Sequence, residues 1–442
     1  MARSRRKSGW GGSPNKKLPL KQSIPLGIQH VLAMFAGNIT VPIIVAGVFG
    51  STTAEKIFLI QMALFAAGVA TIIQTVGIGK VGSRLPIIQG TSFAFIPIML
   101  PFKAFGLGAI FTAAFIGGIF QIWIGKMLKP IRHMFPPLVT GIVVLMIGVS
   151  LLKVGFMYAG GGGWLLNNKP EIFGNINHLF IAFTVLIVAL VAHQKGKGMV
   201  SSASILLGII AGYIVAMLLG MVNYGKIASA DWFAFPMPFQ YGIDFVWGAV
   251  ILMLFMSIVT TIETIGDISA TTMGGANREA TDKELSGGIM ADGVGTAFAS
   301  IFNAMPNTSY SQNAGLVAFT GVISRHVGTV AGVILILLGL FPKLGGIIAA
   351  MPDSVIGGAA IIMFGLIAGA GIKLISKSEM SQRNVLILAL SLSFGIGLYA
   401  FPEFVAHVPD LGIKLGLLLT TGLIPAGLLA FILNATLPIP KK

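Results

Sequence analysis

NTSYSQNAG, residues 307–315, is a run of amides, hydroxyls and small residues inside a chain that is otherwise strongly apolar. Of the 442 residues, 55% are hydrophobic and only 10% are charged, and the mean hydropathy is +0.91. A soluble globular domain carries about 25% charged residues, so the composition excludes a large soluble protein. The abundance of apolar residues also excludes intrinsic disorder. We therefore predict an all-α polytopic membrane protein.

Fourteen apolar segments are candidate membrane crossings, and most have about 20 residues, enough for a hydrocarbon core of about 30 Å. They lie near residues 25–49, 57–78, 87–100, 105–125, 134–152, 177–193, 200–222, 243–266, 287–304, 309–320, 327–342, 350–372, 385–401 and 411–436. Segments 87–100 and 309–320 each follow a proline and are too short and too polar to span alone. Non-helical backbone at membrane depth persists only inside protein or beside a water-filled cavity. These two segments therefore predict a binding cavity.

The distribution of the 29 Lys and Arg residues predicts the orientation of the chain. With fourteen crossings and an inner N-terminus, 22 basic residues fall on the inner side and 7 on the outer side. This bias is the one that the positive-inside rule describes, so both termini are predicted to be cytoplasmic. The first seven basic residues form a retained cytoplasmic tail and do not suggest nucleic-acid binding. They are Arg3, Arg5, Arg6, Lys7, Lys16, Lys17 and Lys21.

An internal repeat appears at half the chain length. Thr91-Ser92-Phe93 matches Thr308-Ser309-Tyr310 at an offset of 217, and residues 136–141 resemble residues 352–357 at an offset of 216. The two short polar segments therefore hold corresponding places in two halves. Because each half contains seven crossings, the second half is inverted relative to the first. Inverted repeats with interrupted segments in register are typical of secondary transporters.

Ionisable side chains inside the spans are few, and in a membrane such groups are functional by default. Glu263 and Asp267 are four residues apart, so on a helix they share one face. A carboxylate at such depth can exchange a proton and accept a hydrogen bond from a substrate N–H, or it can simply bond a neighbouring helix. Asp292 and His30 have the same alternatives, and for His30 the structural role is the commoner outcome. Asp353, after Pro352, is expected to cap a helix.

The polar segment itself suggests the kind of ligand. Gln312 and Asn313 each offer donors and an acceptor, which suits the edge of a heterocycle. Ala314 and the following Gly315 allow a ligand close to the backbone. Across the cavity, Phe93 could stack on a planar ring, or simply pack, and Ser92 could add a hydrogen bond.

Other kinds of chemistry lack their residues. The chain has no Cys, six scattered His and no Gly-Lys-Ser/Thr phosphate loop, so thiolate or catalytic metal sites and ATP hydrolysis are not expected. A membrane enzyme would need a nucleophile–base pair or metal ligands. The residues alone thus predict a secondary transporter, with no enzymatic activity and no cofactor.

Residues 312–321, QNAGLVAFTG, resemble the signature of the nucleobase–ascorbate transporter family, also called nucleobase:cation symporter-2. The signature is Gln/Glu/Pro-Asn-any-Gly, four free positions, then Thr and Arg/Lys/Gly, and all its fixed positions are met. Further similarities lie in Gln29-His30, in residues 90–93, in Glu263 with Gly266-Asp267, and in residues 291–293. The resemblance extends from about residue 22 to 436.

The resemblance implies the nucleobase-transporter fold, with fourteen transmembrane segments in two inverted seven-segment repeats and short strands in segments 3 and 10. It implies a core domain of segments 1–4 and 8–11 and a gate domain of segments 5–7 and 12–14. The expected boundaries are a tail at 1–22, core at 23–130, gate at 131–242, core at 243–344 and gate at 345–442. A homodimer through the gate domain is also a family expectation.

The resemblance also assigns roles to residues. It implies that Glu263 is the main ligand of a nucleobase and Gln312 a second ligand, completed by groups near Phe93, Ser92 and Ala314. Four positions match ones important for transport, through proton coupling or support of the site: Asp267, Asp292, Asn313 and His30.

Glutamine at 312, where uracil carriers usually have glutamate, favours oxidised purines such as xanthine and uric acid. Ser92 stands where xanthine carriers can have Asn, which leaves uric acid open. The resulting hypothesis is a proton-coupled importer in a bacterial cytoplasmic membrane that works by an elevator-type motion. Alternatives are a uracil or other nucleobase permease and, as a different class, a sulfate-type anion carrier or channel of the same fold.

Overall fold

The computed structural model describes residues 13–127, 136–409 and 414–438. Part of the expected N-terminal tail and the boundary at 130/131 lie outside these residues, as do Arg3, Arg5, Arg6, Lys7, Lys129, Arg132, Lys441 and Lys442. The helices of the first half are α1 Leu20–Phe49, α2 Thr53–Val76, α3 Ile96–Met99, α4 Gly106–Lys126, α5 Pro137–Ala159, α6 Gly163–Asn168, α7 Ile176–Lys195, α8 Met199–Ser202, α9 Ser204–Leu218 and α10 Tyr224–Ala228.

The second half repeats the helical character. Its helices are α11 Trp247–Ala276, α12 Asp282–Ile301, α13 Ser311–Thr320, α14 Arg325–Gly339, α15 Pro342–Ala349, α16 Asp353–Ile375, α17 Gln382–Ala400, α18 Leu415–Thr420 and α19 Leu423–Thr436. Four 3₁₀ turns join these elements, at Phe93–Phe95, Leu100–Phe105, Pro170–Ile172 and Pro402–Val405. Two strands complete the described part: β1 Gln89–Thr91 and β2 Asn307–Ser309.

Within the described residues, eight helical stretches are long and apolar enough to cross a membrane. They are Leu20–Phe49, Thr53–Val76, Phe93–Lys126, Pro137–Ala159, Ile176–Lys195, Trp247–Ala276, Asp353–Ile375 and Gln382–Ala400. A ninth results if α14 and α15, which are bent by 76° relative to one another, form one broken span. The chain is therefore an integral membrane protein.

Three predicted segments are broken rather than continuous. Segment 327–342 ends at the bend before Pro342, because proline has no N–H to continue the helical hydrogen bonds. Segment 411–436 is interrupted at Gly422, whose φ of 65° is left-handed. Segment 200–222 divides at Ala203 into α8 and α9. Hydropathy alone did not reveal these breaks.

The helices pack in two groups. The first helix group consists of α1–α4 and α11–α15, in which α4 packs on α12 and α2 packs on α14. The second helix group consists of α5–α9 and α16–α19, and its most extensive contact joins α5 to α16. Both α5 and α16 have 23 residues, and they begin 216 positions apart, the offset of the sequence repeat.

Glycine permits the close approach of α5 and α16. A Cβ on Gly148 would lie 2.4 Å from the backbone nitrogen of Ala368. Such a distance is far inside van der Waals contact, so the two helix backbones meet directly. The interior of the second helix group is therefore tightly packed.

One of the contacts between the two groups lies at the carboxyl end of α1. The hydroxyl of Tyr158 on α5 donates to the carbonyl oxygens of Ile43 and Ile44 on α1, at 3.2 and 3.1 Å. At the same end Lys56 of α2 forms an ion pair with Asp353 of α16, with nitrogen and oxygen 3.7 Å apart. The prediction that Asp353 caps this helix is wrong. Pro352 is the N-cap of α16, Asp353 is the first helical residue, and no side-chain hydrogen bond caps the helix.

Candidate functional site

The two polar segments meet as a pair of antiparallel strands. In the register of β1 and β2, Gln89 lies opposite Ser309, Gly90 opposite Thr308 and Thr91 opposite Asn307. Helical structure begins directly after each strand, at Phe93 and at Ser311. The strand pair therefore brings two helix starts from distant parts of the chain to one place inside the protein.

Beside this junction, α11 and α13 share an exposed face. Glu263 is exposed although the next residue, Thr264, is fully buried. On α13, which packs against α11, Gln312 and Gly315 are exposed in the same way. A face that carries a carboxylate and an amide would be costly against lipid. We therefore interpret it as the wall of a cleft that water can reach.

The cleft opens towards the carboxyl ends of these helices. Exposure continues along α11 to Ala270 and Gly274, and along α13 to Phe319. The residues that follow α13 lie beside the chain leading into α1, because the Ser324 hydroxyl donates to the Lys16 carbonyl at 2.6 Å. The contact with Tyr158 lies at the other end of α1, so we interpret the cleft as open at the first end and closed at the Tyr158 end.

Three residues predicted to complete the ligand site around Gln312 are packed against other parts of the protein: Phe93, Ser92 and Ala314. Phe93 is half-buried and lies edge-on to Phe364 of α16, with ring centroids 5.6 Å apart and planes at 81°. Ser92 is buried, and its hydroxyl oxygen accepts the N–H of Ala94 at 3.2 Å as a cap. Ala314 is buried, so the backbone that a ligand can approach is that of Gly315, where a Cβ would meet no atom within 4 Å.

Asp267 lies one turn after Glu263, but its carboxylate already has partners. One oxygen accepts a hydrogen bond from the Ser309 hydroxyl and the other from the Ser311 hydroxyl, each at 2.6 Å. Its exposed fraction is 6%. Asp267 therefore joins α11 to the junction of β2 and α13.

Asp292 is fully buried on α12 and does not face the cleft. Its carboxylate accepts hydrogen bonds from the Gln89 amide and the Thr264 hydroxyl. The Thr308 hydroxyl and the Gln74 amide lie at 3.5 Å. Asp292 thus ties both strands and α11 to α12.

His30 and Asn313 form a second anchor. The Asn313 amide nitrogen lies 2.9 Å from the ring Nδ1 of His30 and donates to the His30 carbonyl at 2.9 Å. Both residues are buried. This pair fastens α13 to α1 and leaves the neighbouring Gln312 exposed.

The three carboxylates deep within α11 and α12, Glu263, Asp267 and Asp292, form no ion pair with a described Lys, Arg or His, in contrast to Glu284 at the start of α12, which pairs with Arg278. Asp292 and Asp267 accept hydrogen bonds from neutral donors alone, and Glu263 is left to water or a ligand. No group of three or more His, Cys, Asp or Glu side chains suited to a metal occurs in the part of the chain that the structure describes.

Sequence reasoning missed three of the supporting side chains: Gln89, Thr264 and Ser311. Gln89 is an amide within an apolar segment and Thr264 directly follows Glu263, so both carried a signal. Their partners, however, lie 203 and 28 positions away. Only the fold brings these donors to Asp292.

A polar cleft between discontinuous helices is typical of membrane transport proteins. A sequence profile described as "Permease family" matches residues 21–404. The chain belongs to this permease family, which confirms the resemblance to the nucleobase–ascorbate transporters. It is accordingly a transport protein and not an enzyme.

Relatives of known name cover nearly the whole chain. A putative purine permease from Clostridium perfringens is 38% identical over 421 residues, which are 95% of this chain and 91% of the relative. The xanthine permease XanP of Escherichia coli is 34% identical over 96% of this chain and 94% of its own length. The uric acid permease PucJ of Bacillus subtilis is 34% identical over 94% and 93%.

Solved structures share the fold at low sequence identity. The murine anion transporter Slc26a9 in its inward-facing state has a TM-score of 0.63 at 13% identity, over 92% of this chain and 68% of its own. The transmembrane domain of the cyanobacterial bicarbonate transporter BicA has a TM-score of 0.56 at 15% identity, over 96% of this chain and 100% of its own. These similarities concern the fold alone.

Proposed function

We propose that this permease is a proton-coupled symporter that imports oxidised purines, xanthine and/or uric acid. One observation carries the proposal: Glu263 and Gln312 are exposed on adjoining helices, while the neighbouring carboxylates of Asp267 and Asp292 are buried and already accept hydrogen bonds. The names of the relatives, which include xanthine and uric acid permeases, support the substrate class.

The exposed groups match the edge of such a ring. Xanthine and uric acid alternate N–H donors with carbonyl acceptors, so the Glu263 carboxylate can accept from a ring N–H. The Gln312 amide can donate and accept at once. The first turn of α13 has no side-chain cap, and the Asn313 N–H already donates to the Tyr310 carbonyl at 3.0 Å. The N–H groups of Ser311 and Gln312 suit a purine carbonyl oxygen. Phe93 would bound the ring from the side of α16.

The same geometry suggests the coupling. When protonated, the Glu263 carboxyl group can donate its O–H to the purine while its other oxygen accepts a ring N–H. The charged form cannot donate and is unfavourable away from bulk water. Proton and purine therefore favour each other's binding, and both would be released together at the open end. In this proposal the coupling ion is H⁺, no cofactor takes part, and Asp267, Asp292, Asn313 and His30 hold the site.

We further propose fourteen segments in two inverted repeats, with the first helix group as core and the second as gate. The equal length and spacing of α5 and α16 support the repeat. Few polar contacts join the two groups, which suits an elevator-type movement of one against the other. The boundaries 1–22, 23–130, 131–242, 243–344 and 345–442 belong to this proposal.

The remaining expectations extend the same proposal. The charge bias supports a bacterial cytoplasmic membrane with both termini inside. Besides the lipid bilayer and the purine, a second copy of the chain, bound through the gate domain, is the expected partner. Nucleic acid is not.

Two alternatives remain distinct. Uracil or another nucleobase would use the same cleft, and competition experiments separate it from xanthine. An anion carrier is favoured only by the fold shared with the anion and bicarbonate transporters. The exposed carboxylate of Glu263 would repel an anion, so it disfavours that alternative.

The test is uptake of radiolabelled xanthine in cells that express the wild type, Glu263→Gln, or Glu171→Gln, which alters an exposed loop glutamate. Unlabelled uric acid, uracil, guanine and hypoxanthine serve as competitors, and a protonophore tests the coupling. We expect uptake that uric acid blocks, that uracil does not block, and that only Glu263→Gln and the protonophore abolish. Competition by uracil would move the substrate to the pyrimidines, and accumulation that survives the protonophore would reject proton coupling.

A further inference from the structure

The junction between β2 and α13 is held by a group of three residues that we name the serine clamp: Asp267, Ser309 and Ser311. Each serine hydroxyl donates to a different oxygen of the Asp267 carboxylate at 2.6 Å. Hydrogen bonds to a charged acceptor are among the stronger ones in proteins. The last residue of the strand and the first residue of the helix are thus fixed to one side chain of α11.

The residue between the two serines is held from the opposite side. The Tyr310 hydroxyl donates to the Thr91 carbonyl at 2.7 Å, and its backbone N–H donates to the Ile88 carbonyl at 3.0 Å. Tyr310 is 7% exposed. The junction therefore has anchors on two sides, and the next residue after the clamp is the exposed Gln312.

The clamp relates the two exposed polar groups of the cleft. Asp267 stands one helical turn after Glu263, so its position on α11 is rigidly tied to that of Glu263. Ser311 directly precedes Gln312. The chain of bonds from Glu263 through Asp267 and Ser311 to Gln312 therefore sets how far apart the carboxylate and the amide lie.

We propose that Ser309 and Ser311 are positioning residues, which act through Asp267 to align the Gln312 amide and the start of α13 with Glu263. This inference rests on the proposed function of the cleft. Asp267 is 6% exposed and each of its oxygens accepts a serine hydroxyl, so in this proposal its carboxylate holds the clamp and does not bind the purine. Losing a hydroxyl misaligns the two ligands of the purine and weakens purine binding more than it slows the movement of the protein.

The test compares Ser309→Ala, Ser311→Ala, Asp267→Asn and Ser311→Thr in purified protein and in uptake assays. The control is Ser300→Ala, since Ser300 is also a buried serine but its hydroxyl bonds only the Thr296 carbonyl within its own helix. We expect each clamp serine-to-alanine change to raise KM for xanthine roughly 5- to 10-fold with Vmax within about two-fold. This is less than the more than ten-fold effect of a whole hydrogen bond to a charged group, because the serines act on the purine only through alignment. Ser311→Thr, which keeps the hydroxyl on an exposed residue, should restore KM.

Two further measurements show whether the serines act through Asp267. Adding Ser311→Ala to Asp267→Asn should change KM little beyond Asp267→Asn alone, because both remove the same contact. Hydrogen–deuterium exchange of residues 310–315 should quicken in the clamp variants and not in Ser300→Ala.

Unchanged KM and unchanged exchange in both serine variants would overturn the proposal. Additive effects of Ser311→Ala and Asp267→Asn would overturn the route through Asp267. A loss of Vmax at constant KM would show that these residues serve proton transfer or movement and not alignment. If the wild type takes up no xanthine, the proposed function fails first, and the same KM comparison is then made with whichever nucleobase of the competitor set is transported.

Discussion

The hydrogen bonds from Tyr158 to α1 predict how one side chain affects the ratio of two conformations of the helix groups. Replacing Tyr158 by Phe removes one O–H that is shared between the carbonyls of Ile43 and Ile44, and it leaves no cavity because the ring remains. Both carbonyls lie within α1, which continues to Phe49, so they also accept helical N–H groups and are not left unpaired. The loss is therefore that of one neutral hydrogen bond, about 0.5–1.5 kcal/mol.

If the two helix groups move against each other in transport, this energy stabilises only the conformation that is closed at the Tyr158 end. Tyr158→Phe should then shift the ratio of the two conformations roughly 2- to 12-fold towards the one open at that end. The matched control is Tyr399→Phe. Its hydroxyl donates to the Ser150 carbonyl at 2.6 Å, but both residues belong to the second helix group.

The chain contains no Cys, so paired spin labels can be introduced without a background. Exposed Ala54 at the start of α2 and exposed Asn167 in α6 report the distance between the groups at this end. Double electron–electron resonance then measures the distance between labels in the variant Ala54→Cys/Asn167→Cys. When Tyr158→Phe is added, the longer distance should gain population, and when Tyr399→Phe is added it should not. Equal distance distributions in both variants and the wild type would refute the reasoning that this contact separates two states.

Other perturbations test packing and charge. Gly148→Ala places a methyl group 2.4 Å from backbone of Ala368, so we expect a loss of at least about 1–3 kcal/mol of stability, measured as thermal denaturation in detergent. Gly365→Ala on α16, where a Cβ meets nothing within 4 Å, should be neutral or stabilising, and equal losses in both would contradict the close approach of α5 and α16. Lys56→Met breaks an ion pair whose side chains are 16% and 28% exposed, and such pairs contribute about 0–1 kcal/mol. Xanthine uptake should therefore change less than about five-fold, and complete loss would mean that Lys56 has a role beyond this pair.

The sequence alone predicted those features of the site that depend on local composition. Polar residues in an apolar chain located the segments that form β1, β2 and the start of α13. Intramembrane charge located Glu263, which the structure leaves exposed. Features that depend on distant partners could not be found in this way.

Asp292 illustrates the limit. Its sequence context is that of any intramembrane carboxylate, and the sequence left open whether it serves transport or holds helices together. In the structure its donors come from β1, α11 and β2, and a further amide lies on α2, at separations of up to 218 residues. Pairing over such distances is a property of the fold and not of a window of sequence, and the same holds for the two serines that bond Asp267.

The pairing of β1 with β2 has a consequence for how the protein is made. The strands lie in opposite halves of the chain. The Ser92 N–H and the Ile88 carbonyl, on either side of β1, therefore lack their partners until Pro306 and Tyr310 have been synthesised. Backbone groups without partners are strongly disfavoured in the hydrocarbon region. The first half must therefore be kept near the insertion machinery, or beside water, during translation of some two hundred further residues. Final assembly of the cleft is thus a late, post-insertion event, and the delay between the two strands is a period in which the nascent chain is vulnerable to degradation.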